Sequence, residues 1–583
     1  MKIGEVLKKR KKKRTWQKKK ISIITLVSIL SVALFGVVVI LFLVSNNSNV
    51  RMYDATKYNV LVNEELFAAY NNDGERYYPY EAVKKGIDRY IWYDEKERII
   101  TLINDKHLMD IKVDDSENEN ILQVAGEIFL KESFVSEFYD KDFEYIEENN
   151  LTIIFNDEIY IGEAVSLMDE LCVRTGPSRR EPRVKVIENK NGEDVAKCIE
   201  YTNDTWVKVV TLTGEVGFVE RAEIEIKKND DVSTYIHGFN RKLPGEENGK
   251  EKIEEFKRIF QNKKINMVWE AVYSRNPNLE SIGDMDGLNV IAPTWFELED
   301  ETGRIKSMAD SSYVKWAHDR GYYVWGTAVS VTDYDLTSKV LSNMKIRRAY
   351  IEKLVEYLTE YGLDGLNIDF EYMYEEDKEL FTQFVRELSF YSHFVGKIVS
   401  CDVTILSNSP KWSLCYDRKA LSNAVDYMCV MFYDQHTGGG GKAGSVGQLK
   451  WVIDSAERLM EHIPNDKLIL GMPFYTRLWE EKKSENGEIS LSSTIMSMNA
   501  SKQWCKDNNV IPKWDEESGQ YYAELNEGSS VFKLWIEDAV SIEKRVELVK
   551  EYNLAGCAAW RRGFESEDVW KIIKKELEIA LNK

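Results

Sequence analysis

No two of the seven cysteines, at 172, 198, 401, 415, 429, 505 and 557, form a C-x-x-C pair among the 583 residues. Their odd number and scatter exclude a disulfide framework and argue against a zinc site. Cys401, Cys429 and Cys557 fall inside apolar strand-like runs, where a small buried hydrophobe is the expected role. The six histidines stand apart and complete no metal-ligand pattern, so neither metal nor cofactor is expected. Ten prolines beside 43 % hydrophobic residues exclude a collagen-like or wholly disordered chain. Positive charge is outnumbered except at the start, where residues 1–20 carry eleven basic residues and one acid against a formal net charge of −20, which leaves −30 for the remainder. A body this acidic is a poor nucleic-acid binder. At about 150 residues per domain the length calls for several domains.

One long uncharged run is present. Ile21 to Ser45 carries no charged residue, and at about 1.5 Å per residue it exceeds the roughly 30 Å hydrocarbon core, as a transmembrane helix must. The basic tail of residues 1–20 ends against it, so the positive-inside bias places the N-terminus in the cytoplasm and residues 46–583 outside, in a single-pass cell-membrane topology. A cleaved signal peptide would show an apolar stretch of about 7–15 residues and a small-x-small site. Val44-Ser45-Asn46-Asn47-Ser48 offers no good one.

Beyond the anchor the chain divides into residues 46–157, 158–228, a linker at 229–262, and 263–583. In the first, residues 77–103 recur at 129–155: Val83 matches Val135, Tyr93 matches Tyr145, and each copy reads as a short helix followed by a hairpin. This α+β repeat resembles the small repeat named after the N-terminal domain of copper amine oxidases, with no copper site implied. The second holds short alternating strands with Leu171-Cys172-Val173-Arg174-Thr175-Gly176-Pro177, Trp206-Val207-Lys208-Val209 and Gly217-Phe218-Val219. That order resembles a bacterial Src-homology-3-like small β barrel, a module common on cell-wall enzymes.

From 263 onward, eight strand-like runs alternate with amphipathic helices: Ile265–Val272, Leu288–Trp295, Tyr322–Trp325, Leu366–Phe370, Val399–Ile405, Val425–Phe432, Lys467–Met472 and Ala555–Ala559. This pattern predicts a (β/α)8 TIM barrel in the α/β class, with an insertion at 480–540 between strands seven and eight. Ile351, Leu354, Val355 and Leu358 make one helical stripe, and Leu380, Phe381, Phe384, Val385 and Leu388 make another. The stretch Gly438-Gly439-Gly440-Gly441-Lys442 lacks the Ser or Thr of a phosphate loop and reads as a rim loop.

Between those stripes lies Asp364-Gly365-Leu366-Asn367-Ile368-Asp369-Phe370-Glu371. Alternate residues of a strand share a face, so Asn367, Asp369 and Glu371 point into the barrel while Leu366, Ile368 and Phe370 pack under helices. Carboxylates at the C-terminal end of a barrel strand stand where barrel enzymes place their active sites.

The string resembles the D-G-x-x-x-D-x-E signature of glycoside hydrolase family 18, the chitinase family. Met431-Phe432-Tyr433-Asp434, Ala558-Ala559-Trp560, Pro293-Thr294-Trp295-Phe296 and Gly471-Met472-Pro473-Phe474-Tyr475 are similar to further motifs of that family. The resemblance implies that Glu371 protonates the leaving oxygen and that the substrate's own 2-acetamido oxygen attacks the anomeric carbon. Asp369 then orients the acetamido N–H and Tyr433 bonds its oxygen. Asp434 and Trp560 are expected to touch sugar, as are Asp364, Asn367, Met431, Trp295 and Tyr475. Many chitinases carry Asp where this chain has Asn367, so Asp369 is expected to titrate without a second carboxylate coupled to it.

The function so implied is cleavage of β-linked N-acetylglucosamine polymers with retention. The wall-type modules favour peptidoglycan over chitin. A chitinase, an endo-N-acetylglucosaminidase on glycans and a non-catalytic carbohydrate-binding barrel stay open as alternatives.

Overall fold

The computed structural model describes residues 56–104, 107–155, 161–188, 194–228, 247–261 and 263–581. The transmembrane span expected at 21–45 lies outside them. Among the described residues no helix is long and apolar enough to cross a membrane. The chain forms two compact units, one built mainly from residues before 236 and one mainly from those after 237.

In the first unit the strand Glu75–Pro79, the helix Tyr80–Gly86 and the strand Trp92–Asp94 recur as Glu127–Lys131, Glu132–Tyr139 and Glu144–Ile146. The offset is the 52 positions of the sequence repeat. The two equivalent strands pair antiparallel, Tyr77 opposite Lys131, so each repeat supplies the edge that the other lacks. Residues 162–228 form a seven-stranded antiparallel sheet around Leu171, Val173, Val207, Val209 and Val219.

The second unit is a closed barrel of eight parallel strands. They are β1 (Ile265–Glu270), β2 (Val290–Leu298), β3 (Tyr323–Val329), β4 (Gly365–Asp369), β5 (Ile398–Thr404), β6 (Tyr427–Met431), β7 (Leu468–Pro473) and β8 (Gly556–Trp560). Each pairs with its successor and β8 pairs with β1. Every strand-like run expected from the sequence lies on one of them.

Strand alternation makes two cores. Outward-facing Leu366, Ile368 and Phe370 pack on Ile351, Leu354 and Leu358 of helix Met344–Glu360 and on Phe381, Phe384 and Leu388 of helix Lys378–Phe394. Inward-facing Met267, Trp269, Ala292, Trp325, Cys429, Ile469 and Ala558 fill the lumen from the N-terminal end. At about 25 cal/mol per Å² each large apolar side chain so buried contributes roughly 1.5–3 kcal/mol.

The linker expected at 229–262 is corrected over its last part, where Glu247–Gln261 is an α-helix. It closes the N-terminal mouth. Ile253, Phe256 and Phe260 enter the inner core, with Phe256 at 6.0 Å from Trp325 and Phe260 at 5.7 Å from Tyr323. An i, i+3, i+7 apolar stripe in a charged stretch was the signal, and the Gly and Asn residues before it masked it.

The insertion between β7 and β8 is a five-stranded antiparallel sheet spanning Tyr475–Ile536, with the helix Met498–Asp507. The hairpin expected there is Gln520–Glu527 with Ser530–Ile536. Trp479 Nε1 donates to the Gly444 carbonyl at 2.8 Å, which fastens the insertion to the glycine-rich rim loop.

Candidate active site

At the C-terminal mouth β4 presents Asp369 and then, just past its end, Glu371. The chain there is pinned from two sides. The backbone N–H of Glu371 donates to Ser330 Oγ at 3.2 Å, and Tyr416 Oη donates to the Phe370 carbonyl at 2.8 Å. Phe370 stacks on Phe381 and Phe384 in the outer core, so the side chain between the two acids is anchored by packing.

The acids are sparsely bonded. The carboxyls of Asp369 and Glu371 share a hydrogen bond, while Asp369 Oδ1 has no partner. Burial holds the Glu371 proton on to well above the usual carboxylate range, and the negative charges of Asp369 and Asp434 add to this. A proton retained in this way is available to a leaving group near neutral pH.

Met431 at the end of β6 and Tyr433 just past it pack with Val446, Tyr475, Trp560 and Phe564. Burial, and then the nearby carboxylates, push the Tyr433 phenol well above its ordinary value, so it stays a neutral donor. The next residue, Asp434, has left-handed backbone (φ 59°), a conformation that Asp tolerates at a cost of about 1–2 kcal/mol. The turn brings its carboxylate to Tyr475 Oη, which donates to it at 2.6 Å. Trp560 at the end of β8 stays half-open to the cleft and leans on Trp269, ring centres 6.2 Å apart. Arg562 follows it, donates its backbone N–H to the Trp269 carbonyl at 3.0 Å, and pairs with buried Glu270 on β1.

Residues 330–565 match the family model described as Glycosyl hydrolases family 18. Over those residues the barrel matches glycoside hydrolase family 18. Among relatives, an "Uncharacterized glycosylase YvbX" of Bacillus subtilis (strain 168) is 27 % identical over 300 residues, 49 % of this chain and 84 % of the relative. A "Cortical fragment-lytic enzyme" of the same organism is 24 % identical over 245 residues, 41 % of this chain and 56 % of the relative. Among solved structures, the C-terminal domain of a putative chitinase from Desulfitobacterium hafniense DCB-2 matches 55 % of this chain and 99 % of its own at 21 % identity, with a TM-score of 0.49.

The barrel brings Glu371, Asp369, Met431, Tyr433, Asp434, Tyr475 and Trp560 to one cleft. Three expected sugar contacts are corrected. Asp364 lies at the opposite end of β4, where its Oδ2 accepts the Val324 N–H at 2.7 Å and pairs with His318 at 2.8 Å. Seven residue steps along β4 and its two ends, at about 3.3 Å each, separate it from Glu371. Trp295 is 1 % exposed on the outer face of β2, packed on Tyr313 with its Nε1 donating to Asn276 at 2.7 Å.

Asn367 sits one layer below Asp369 with every polar atom used. Its Oδ1 accepts from Trp269 Nε1 at 3.0 Å and Thr327 Oγ1 at 3.2 Å, and its Nδ2 donates to Ser400 Oγ at 3.0 Å and Asp402 Oδ1 at 2.6 Å. Nothing is left for a sugar. The expectation that Asp369 lacks a coupled carboxylate is also overturned: burial raises its ionisation well above the ordinary range, and the next cause is the charge of Asp402 on β5. Asp402 went unnoticed in the sequence because Cys401-Asp402-Val403 carries no motif. The alternation Ser400, Asp402, Thr404 in an apolar run was the available signal.

Proposed function

We propose that this chain is a membrane-anchored, extracytoplasmic glycosidase that cleaves β-linked N-acetylglucosamine polymers, peptidoglycan in preference to chitin, by substrate-assisted catalysis with retention. The observation that carries this is Asp369 Oδ1, an acceptor without a partner beside a carboxyl that keeps its proton. An acetamido N–H donated to that oxygen turns the acetamido carbonyl towards the anomeric carbon, and neutral Tyr433 steadies its oxygen. Glu371 gives its proton to the leaving oxygen as the ring of the oxazolinium ion closes. It then takes a proton from the water that reopens the ring, which restores the starting state. Trp560 supplies an apolar platform for the sugar face.

The reading of residues 158–228 as an SH3-like wall module and of 46–157 as surface-protein repeats supports a wall polymer, as does similarity to a relative named a cortical fragment-lytic enzyme. The basic tail and the run 21–45 support the topology.

Mass spectrometry of muropeptides after digestion of purified wall tests the substrate, with products ending in reducing N-acetylglucosamine expected. A matched substrate without the N-acetyl group should turn over negligibly; comparable hydrolysis would require a protein nucleophile and end the proposal. Protease added to intact cells should remove everything after residue 50.

A further inference from the structure

Asp402 is 2 % exposed, lies on β5 in the lumen, and has no place in the chemistry described so far. The β4–β5 register pairs Asn367 with Ser400 and Ile368 with Cys401, so Asp369 comes abreast of Asp402. Asn367 Nδ2 donates to Asp402 Oδ1 at 2.6 Å, and Asn367 is itself held by Trp269 and Thr327. The groups facing Asp402 are Asp369 and Glu371 from β4 and its end, Asn367 below, the Cys429 thiol from β6 and the Trp269 indole from β1. Tyr433, just past the end of β6, also feels the charge of Asp402. No cation is among them. Two neighbouring carboxyls in such a place cannot both ionise and must hold a proton between them.

We propose that Asp402 is the positioning residue for Asp369, holding from β5 the shared proton that a carboxyl at position 367 would otherwise hold from β4. The assignment rests on the substrate-assisted reading above. In the free site the proton resides on Asp369, because Asn367 Nδ2 donates to Asp402 Oδ1 while Asp369 Oδ1 accepts from no donor. When the acetamido N–H donates to Asp369, that proton passes to Asp402. Asp369 becomes the anion that faces the positive oxazolinium, and the proton returns as product leaves. No proton is gained or lost by the pair.

The test is Asp402→Asn, which keeps the acceptor for Asn367 but can hold neither charge nor proton. A thiazoline mimic of the cyclic intermediate is titrated into native and variant protein by calorimetry from about pH 4 to about pH 9. Comparison between the proteins cancels the ionisation of the ligand itself. Native affinity should stay level while the pair holds one proton, because binding moves that proton without releasing it, whereas in D402N Asp369 must give its proton to solvent and affinity should rise about tenfold per pH unit until Asp369 is ionised. Turnover should fall about tenfold, the equivalent of one such unit, in kcat rather than in KM. The double variant N367D/D402N returns a carboxyl to β4 and should restore the level profile. Folded D402N with the same level profile as the native protein overturns the proposal. If D402N does not fold, a carboxyl ¹³C titration of the native protein decides, with two coupled aspartate steps expected and two independent single steps overturning it. A native protein that binds no thiazoline counts against the substrate-assisted reading alone, and the carboxyl titration, which needs no ligand, still rules on Asp402.

Discussion

At the N-terminal mouth of the barrel, Asp364 and Asp426 each accept a backbone N–H and pair with a histidine, His318 and His393, both at 2.8 Å. At the C-terminal mouth Asp369 keeps an oxygen with no partner, and the charges that bear on Glu371 are those of the acids Asp369 and Asp434. Burial pushes all buried carboxyls up, but beside His393 and Lys257 the opposite charges win and Asp426 is held far below the usual carboxylate range. Asp369 and Glu371 lack such cations and go the other way. One end of the barrel spends its acids on stability. The other keeps them under-bonded, which costs folding free energy and leaves them free to act.

The contrast breaks most visibly at Glu371. Glu371→Gln should leave the fold and sugar binding intact while lowering kcat by about 10²–10⁴, since the amide fills the same space but delivers no proton. Steady-state kinetics beside a circular-dichroism melt read both halves.

Next come two carboxylate-to-amide changes of opposite expected sign. Asp426→Asn breaks a buried pair with His393 and Lys257 and should cost about 3–5 kcal/mol at neutral pH. Because the folded ionisation is depressed, that stability is present above the unfolded value near pH 4 and is lost as pH falls below it. Asp369→Asn should instead raise the melting temperature. Its folded ionisation is raised, so the native protein binds more protons than the unfolded chain above about pH 4, and stability declines as pH climbs towards the folded value. The gain should therefore grow from acidic to neutral pH, in melts of both variants followed across that range.

Helix Glu247–Gln261 sharpens the comparison, since it seals the stabilising end. Phe256→Ala should destabilise by about 3–5 kcal/mol through the cavity left beside Phe260, Tyr323 and Trp325, without changing kcat of the folded protein. Urea unfolding gives the first quantity. The smallest effect is expected at Tyr433→Phe, which deletes one donor and should lower kcat by about tenfold, within the roughly 0.5–1.5 kcal/mol of one neutral hydrogen bond.

Local rules alone decided a good deal. Period-two alternation placed Asp369 and Glu371 with Asn367 on the lumen face of β4, and the 3.6-residue stripes placed Ile351, Leu354 and Leu358 against its other face, because both follow from backbone geometry. The same parity would have turned Asp364 and Trp295 away from the cleft. Phe296 joins Trp295 on the outer side because the β2–β3 register shifts between Thr294 and Phe296, a bulge that no residue pattern announces. Only the closed barrel set Asp402 beside Asp369, since that neighbour comes from another strand and an interstrand register is fixed by packing of the whole sheet. Which carboxyl is paired, and which keeps its proton, was likewise settled in three dimensions, because ionisation depends on the charges and solvent that surround a group and not on its neighbours along the chain.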